Sequence, residues 1–232
     1  MFKTFLRGIT KFEEKIVFLL RSNFDILKHI FSRIDAVQAV AMVQSVIANV
    51  RTPTPQLLKE LITLVKVDLK PVSQDRTILY NLAIVQTSNL IHRACIAPAK
   101  SVSFPTGIYG EFCTPTSEPV IQWIEFLKQQ LETESNHHIR LNIITAIGKL
   151  GHIKSVEILK PVISNTRYNE MVRSLAVYSL KRVAILEPAQ VKPVLMSIIE
   201  NIAERPEVRI AAIATLPHAK PTTAELKMIA VR

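Results

Sequence analysis

Ile139-Arg140-Leu-Asn-Ile-Ile-Thr-Ala-Ile-Gly-Lys-Leu150 decides the fold, because the chain repeats it. Val172-Arg173-Ser-Leu-Ala-Val-Tyr-Ser-Leu-Lys-Arg-Val183 aligns with it, and Val208-Arg209-Ile-Ala-Ala-Ile-Ala-Thr-Leu216 aligns with both. Each copy opens on an apolar residue and an arginine. Small and branched residues then recur at three- and four-residue steps, the period of a helix with one apolar face. The arginines are 173 − 140 = 33 and 209 − 173 = 36 residues apart. Second apolar-periodic segments, 155–164 and 189–203, fill the intervals. One helix pair cannot bury its own apolar face, so pairs at a nearly fixed period stack on their neighbours. The expected fold is therefore all-α, an α-solenoid of stacked helix pairs.

The spacing is somewhat shorter than the ~40 to 47 residues of HEAT and armadillo units, whose superhelical arch is the nearest pattern. Ala176, Ala211 and Ala212 suit close helix approach on the stacking face. Upstream, 34–50, 56–67 and 76–95 read as helices, and Arg76-Thr-Ile-Leu-Tyr-Asn-Leu-Ala83 as a divergent earlier copy. Thr52-Pro-Thr-Pro55 and Lys70-Pro71 stop two of them, since a proline disfavours helix at the residue before it. Downstream, 120–131, 138–150, 155–164, 169–186, 189–203 and 206–216 complete the series, with Gly151 as a C-cap. Residues 96–118, rich in proline and glycine, lack helical period and read as the one long loop of a single domain, 1–232.

Composition agrees. Five glycines in 232 residues leave few positions for hairpin turns or phosphate-cradling loops, whereas 13 prolines punctuate the helices. That argues against all-β and nucleotide-binding α/β folds. Lys and Arg exceed Asp and Glu by 29 − 19 = +10, a balance that first of all keeps a basic protein solvated and also suits an anionic membrane surface, an acidic protein or nucleic acid. No uncharged stretch reaches the roughly 18 to 20 apolar residues of a membrane span. Lys11, Glu13, Glu14 and Lys15 interrupt the place where the apolar core of a signal peptide would run, so none is expected in this chain.

Few residues suggest chemistry. Cys95 and Cys113 flank the loop; we take them to be joined in a disulfide, which requires an oxidising compartment, rather than left as two thiols in a reducing one. No Cys-x-x-Cys or paired-histidine set completes a metal site, and His137 and His138 point about 100° apart on a helix. Gly-x-Ser-x-Gly, His-Glu-x-x-His and Walker loops are all missing, so neither an enzyme nor a bound cofactor is expected. Arg140, Arg173 and Arg209 suit a structural role, because Arg favours interior ion pairs. Trp123 sits at helical spacing with core residues. Lys3, Arg7, Lys11 and Lys15 form a basic stripe opposite a Phe-rich face. Such a stripe fits a helix at a membrane interface or an edge helix of the solenoid, and we take the edge helix.

The order of these units resembles a known family. Val172–Ala184, the Val191-Lys-Pro-Val-Leu195 segment and Glu204–Leu216 are similar to the helical domain of the large lipid transfer proteins, which include vitellogenins, apolipophorins, apolipoprotein B and the microsomal triglyceride transfer protein. Asn89-Leu-Ile-His-Arg-Ala-Cys95 and the loop to Cys113 resemble that family's disulfide-bearing stretch. The resemblance, over about residues 35–216, implies a two-layered α-solenoid, a helical arch wrapped around lipid-lining β-sheets, within a secreted lipid carrier. It also implies that this chain is a piece of a larger protein, its lipid held by separate sheet domains. Nucleic acid is not the partner implied. The alternative is a free-standing HEAT-type adaptor that binds an acidic protein or nucleic acid.

Overall fold

The computed structural model describes residues 53–69, 74–97 and 112–230, together with Ile47 and Val50. The stripe Lys3, Arg7, Lys11 and Lys15, nearly all of the helix read at 34–50, and residues 98–111 of the long loop lie outside the described residues. Every element among the described residues is helical, and none is a strand. The chain divides into two compact units between Val120 and Ile121.

In the first unit, α1 (Pro55–Thr63) begins where Thr54 Oγ1 accepts from the Leu57 amide at 3.3 Å, with Pro55 in the first turn. Proline fits there because its missing N–H would have no helical partner. The helix buries Leu58, Leu61 and Ile62, then widens into a π-helical turn, Leu64–Asp68, closed by the Leu69 amide donating to Leu64 O. The second helix, α2 (Gln74–Ile91), ends in the same way: the π turn His92–Ile96 closes through Ala97 N to His92 O at 2.8 Å. Periodicity alone predicts plain α-helix through both places. Each π turn carries one extra residue, which rotates the side chains that follow.

Helix α3 (Glu118–Thr133) crosses the boundary between the units. Trp123, Ile124, Leu127 and Leu131 form its buried stripe within the second unit. The Trp123 ring lies 5.3 Å from that of Phe126, and Trp123 is fully buried, a core residue.

The repeated helices follow as α4 (His137–Leu150), α5 (Ser155–Ser164), α6 (Glu170–Tyr178), α7 (Lys181–Leu186), α8 (Pro188–Glu200), α9 (Pro206–Thr215) and α10 (Thr223–Ala230). A 3-10 turn, Leu216–Ala219, extends α9. The segment read as one helix over 169–186 is two, parted by a turn at Ser179 and Leu180. Helix α6 packs against both α4 and α9, while α5 packs on α6 and α8 on α9. First helices thus neighbour first helices, and each also touches a second helix. Ile143, Ile144, Ile147, Ala176, Val177, Leu180, Ala211 and Ala212 are fully buried along this seam. Pro161 and Pro193 sit inside α5 and α8 within matching Lys-Pro-Val segments. Both are exposed, so each carbonyl released by the missing N–H can reach water.

Candidate functional site

The repeated arginines sit one turn into their helices, and their surroundings start with the caps. Asn136 Oδ1 accepts from the amides of His138 and Ile139, and Asn169 Oδ1 from that of Val172 at 3.0 Å. Each asparagine satisfies amides that the first helical turn leaves without partners. Arg140 and Arg173 both lie four residues after their caps, back over the entry loop. In the third copy the cap position is Arg205, which makes no side-chain cap, and Pro206 follows at the first helical position.

Arg173 is the most buried of the three, at 4% exposure. Its Nε donates to Ile163 O at 2.7 Å, at the end of α5. Nη1 and Nη2 donate to the two oxygens of Glu204 at 2.8 and 2.5 Å, a forked pair that Lys cannot form. Burial pushes the Glu204 carboxyl up, but hydrogen bonds from Arg173 and the Arg205 amide outweigh it and hold the group below its ordinary range. Arg140 donates to Glu134 O and lies over the Tyr168 ring, 5.4 Å from its centre. The Arg209 amide donates to Arg205 O at 3.1 Å, but its side chain makes no hydrogen bond or ion pair among the described residues, and its Nε, like that of Arg140, is buried without a hydrogen-bond partner.

Tyr168 and Glu204 hold matching places. Asn165 and Asn201 end α5 and α8; their Oδ1 atoms accept from the amides of Arg167 at 3.0 Å and Ala203 at 3.1 Å. Their carbonyls accept from the amides of Tyr168 and Glu204, both at 3.1 Å. Each repeated arginine that has a partner on its far side therefore meets the third residue after the asparagine of the next entry loop.

Cys95 and Cys113 are joined in the first unit, with Cα atoms 4.5 Å apart across a sequence separation of 18. Cys95 is buried in the π turn that ends α2, and the Phe112 amide donates to Ala94 O at 3.4 Å beside it. Ser117 then receives the Thr114 amide on Oγ at 2.8 Å and the Val120 amide on its carbonyl, which starts α3.

Sequence reasoning missed Glu204, Tyr168 and the asparagine caps. A usable signal existed in the recurrence of Asn four residues before Arg140 and Arg173, and of Asn165 and Asn201 at 201 − 165 = 36 residues. It also missed Arg93, which is 6% exposed and donates to Ile47 O at 3.3 Å. No group of His, Cys, Asp or Glu among the described residues could hold a metal, and no described helix is long and apolar enough to cross a membrane. The arrangement is one of packing, forked ion pairing and covalent stapling.

The chain is similar to several vitellogenins over most of its length. A vitellogenin of Anthonomus grandis is 26% identical over 206 residues, covering 85% of this chain and 11% of the relative. A vitellogenin of Bombyx mori is 26% identical over 197 residues, covering 82% and 11%. Vitellogenin-6 of Oscheius tipulae is 24% identical over 199 residues, covering 82% and 11%. The chain thus spans about 11% of the length of each of these relatives. No solved structure gives a significant match. The family described as the vitellogenin TPR domain matches residues 23–232, so this chain belongs to the vitellogenin TPR domain family.

Proposed function

We propose that this chain is the helical scaffold of a vitellogenin-type lipid carrier. The observation that carries the reading is the family match over 23–232, which runs through every repeated helix pair. In this reading the pairs form a two-layered α-solenoid that braces lipid-bearing sheets elsewhere in the protein and offers its outer surface to partners. The spacings of 33 and 36 residues lie nearer the ~34 of tetratricopeptide units than the ~40 to 47 of HEAT units. Residues such as Ile144, Ile147, Val177 and Ala212 are fully buried among the packed helices, which favours lipid being held outside this segment. The Cys95–Cys113 bond suits a secreted protein, and the net charge of +10 suits an anionic membrane or an acidic protein surface as partner.

An antibody raised against this chain, used on extracellular fluid of the source organism, tests the reading. The captured protein should yield neutral lipid and phospholipid on organic extraction and mass spectrometry. The isolated 232-residue chain should carry no stoichiometric lipid. A lipid-free captured protein would overturn the carrier reading, and lipid bound to the isolated chain would overturn the scaffold role.

A further inference from the structure

A second basic residue follows each repeated arginine at the same distance: 149 − 140, 182 − 173 and 218 − 209 are each 9, and the residues are Lys149, Arg182 and His218. All three stand where a first helix of the second unit ends or breaks. Lys149 is in the last turn of α4, Arg182 opens α7 just past the break after α6, and His218 is in the 3-10 turn that extends α9. Lys181 adds a fourth cation beside Arg182. Helix α7 packs against both α4 and the 3-10 turn, which gathers the four groups along one edge. Arg182 Nη1 donates to Lys149 O and ties the first two together.

Lys149, Lys181 and His218 join no ion pair among the described residues. Glu187, the carboxylate nearest to Lys181 in sequence, stands at the opposite end of α7. Partial burial, and then Arg182 and Lys181, hold the Lys149 ammonium below its ordinary value; burial, and then Lys181, do the same to the His218 imidazole. A helix end attracts a nearby cation, which accounts for Lys149, for His218 and for Arg182 on the α4 carbonyl. It does not account for Lys181, whose charge opposes both Lys149 and His218. Ile185, one turn after Lys181 on the same helix, is 50% exposed.

We infer that this edge, with Lys149, Lys181 and His218 as its cations and Ile185 beside them, binds an extended acidic segment of a partner polypeptide. Packed helices lie about 8 to 10 Å apart, which an extended chain covers in about three residues. Carboxylates along such a segment therefore reach successive cations and relieve their mutual repulsion. Ile185 offers an apolar contact that a phosphate backbone cannot use, which favours a polypeptide over nucleic acid. This site deepens the partner surface proposed above and rests on that reading, independently of where lipid is held.

The test titrates the 232-residue chain into a short labelled peptide in which glutamates are interspersed with leucines, read by fluorescence anisotropy. Binding should weaken as salt is raised. Lys149→Ala and Lys181→Ala should each weaken it about 3- to 5-fold, the scale of an exposed ion pair, and Ile185→Ser should weaken it as well. Lys181→Glu should remove most of the binding yet leave the melting temperature at or above that of the parent, because a like charge has gone; a structural lysine would behave in the opposite way. His218→Lys should tighten binding. Lys160→Ala, near the far end of α5, loses the same charge away from this edge and should leave the affinity unchanged. Equal losses in Lys160→Ala and Lys181→Ala would show that net charge alone acts, and would overturn the inference. So would an oligonucleotide or an anionic vesicle that binds through Lys149 and Lys181 while the peptide does not. A lipid-free captured protein would leave this site standing, so the two readings fail separately.

Discussion

Gly148 in α4 meets the backbone of Ser179, the residue where α6 breaks from α7. A Cβ built on Gly148 would fall 2.7 Å from Ser179 Cβ, 2.8 Å from its Cα and 2.9 Å from its carbonyl oxygen. Glycine in a helix normally costs about 1 kcal/mol relative to alanine, so Gly148→Ala would ordinarily stabilise. Here the contact is with main chain, which cannot swing aside as a side chain can. We expect Gly148→Ala to destabilise by about 1 to 3 kcal/mol, the range for overpacking, and Ser179→Gly to relieve only part of it. Urea unfolding followed by circular dichroism measures this. An unfolding midpoint at or above that of the parent would show that the helices can move apart freely.

The same contact marks what sequence could and could not reveal. The helices at 138–150, 155–164 and 206–216 were legible because their buried residues keep helical spacing, and Gly151 stood out as a terminator. The break at Ser179 and Leu180 was not, because Val172-Arg-Ser-Leu-Ala-Val-Tyr-Ser-Leu-Lys-Arg-Val183 is locally good helix and the break falls where the chain meets Gly148, about thirty residues away in sequence. The π turns after Thr63 and Ile91 left no local mark either. Glu204 was hidden for a related reason: a forked pair spanning 204 − 173 = 31 residues is a tertiary fact. The fold lay in periodicity, whereas the arginine partners lay in loops, where only the recurring asparagines gave a trace.

Lys220 and Gly151 occupy the same position in two repeats, eleven residues after Arg209 and Arg140, and both are left-handed, at φ 52° and 62°. A non-glycine residue pays roughly 1 to 2 kcal/mol there, part of which glycine returns through a more flexible unfolded chain. Lys220→Gly should therefore gain up to about 1 kcal/mol, and Gly151→Ala should lose about 1 kcal/mol. Thermal unfolding of the two variants reads both signs. A loss for Lys220→Gly would mean that the lysine side chain contributes more than its backbone costs.

The Cys95–Cys113 bond closes 18 residues, and a crosslink over a loop of that size is worth roughly 3 kcal/mol in the chain-entropy picture. Protein from an oxidising compartment should take up no alkylating agent until reduced and two equivalents afterwards, by intact mass. Reduction, or Cys113→Ser, should lower the melting temperature by several degrees. Two alkylated thiols before reduction would exclude the bond and, with it, the main local argument for a secreted protein.

Glu204 predicts how stability falls in acid. Its carboxyl, raised by burial but lowered further by Arg173 and the Arg205 amide, has a folded pKa below the unfolded value near 4.3. Between those two values the unfolded chain binds a proton that the folded chain does not, so folding is favoured by raising the pH. The stabilisation is complete above about pH 4.3 and is lost as pH drops through the lower, folded value. With the Glu204 side chain only 12% exposed and that of Arg173 5%, removing the charge leaves a buried guanidinium poorly paired. Glu204→Gln, which keeps one acceptor oxygen, should cost about 2 to 3 kcal/mol at pH 7, somewhat less than deleting a partner outright. Replacing both residues, as Arg173→Met with Glu204→Leu, should cost less than the single change, because no charge is then stranded. Melting temperatures of parent and Glu204→Gln from pH 7 to pH 3 should converge at the acid end. A gap that stays constant across that range would mean that Glu204 acts by shape and hydrogen bonding alone, without its charge.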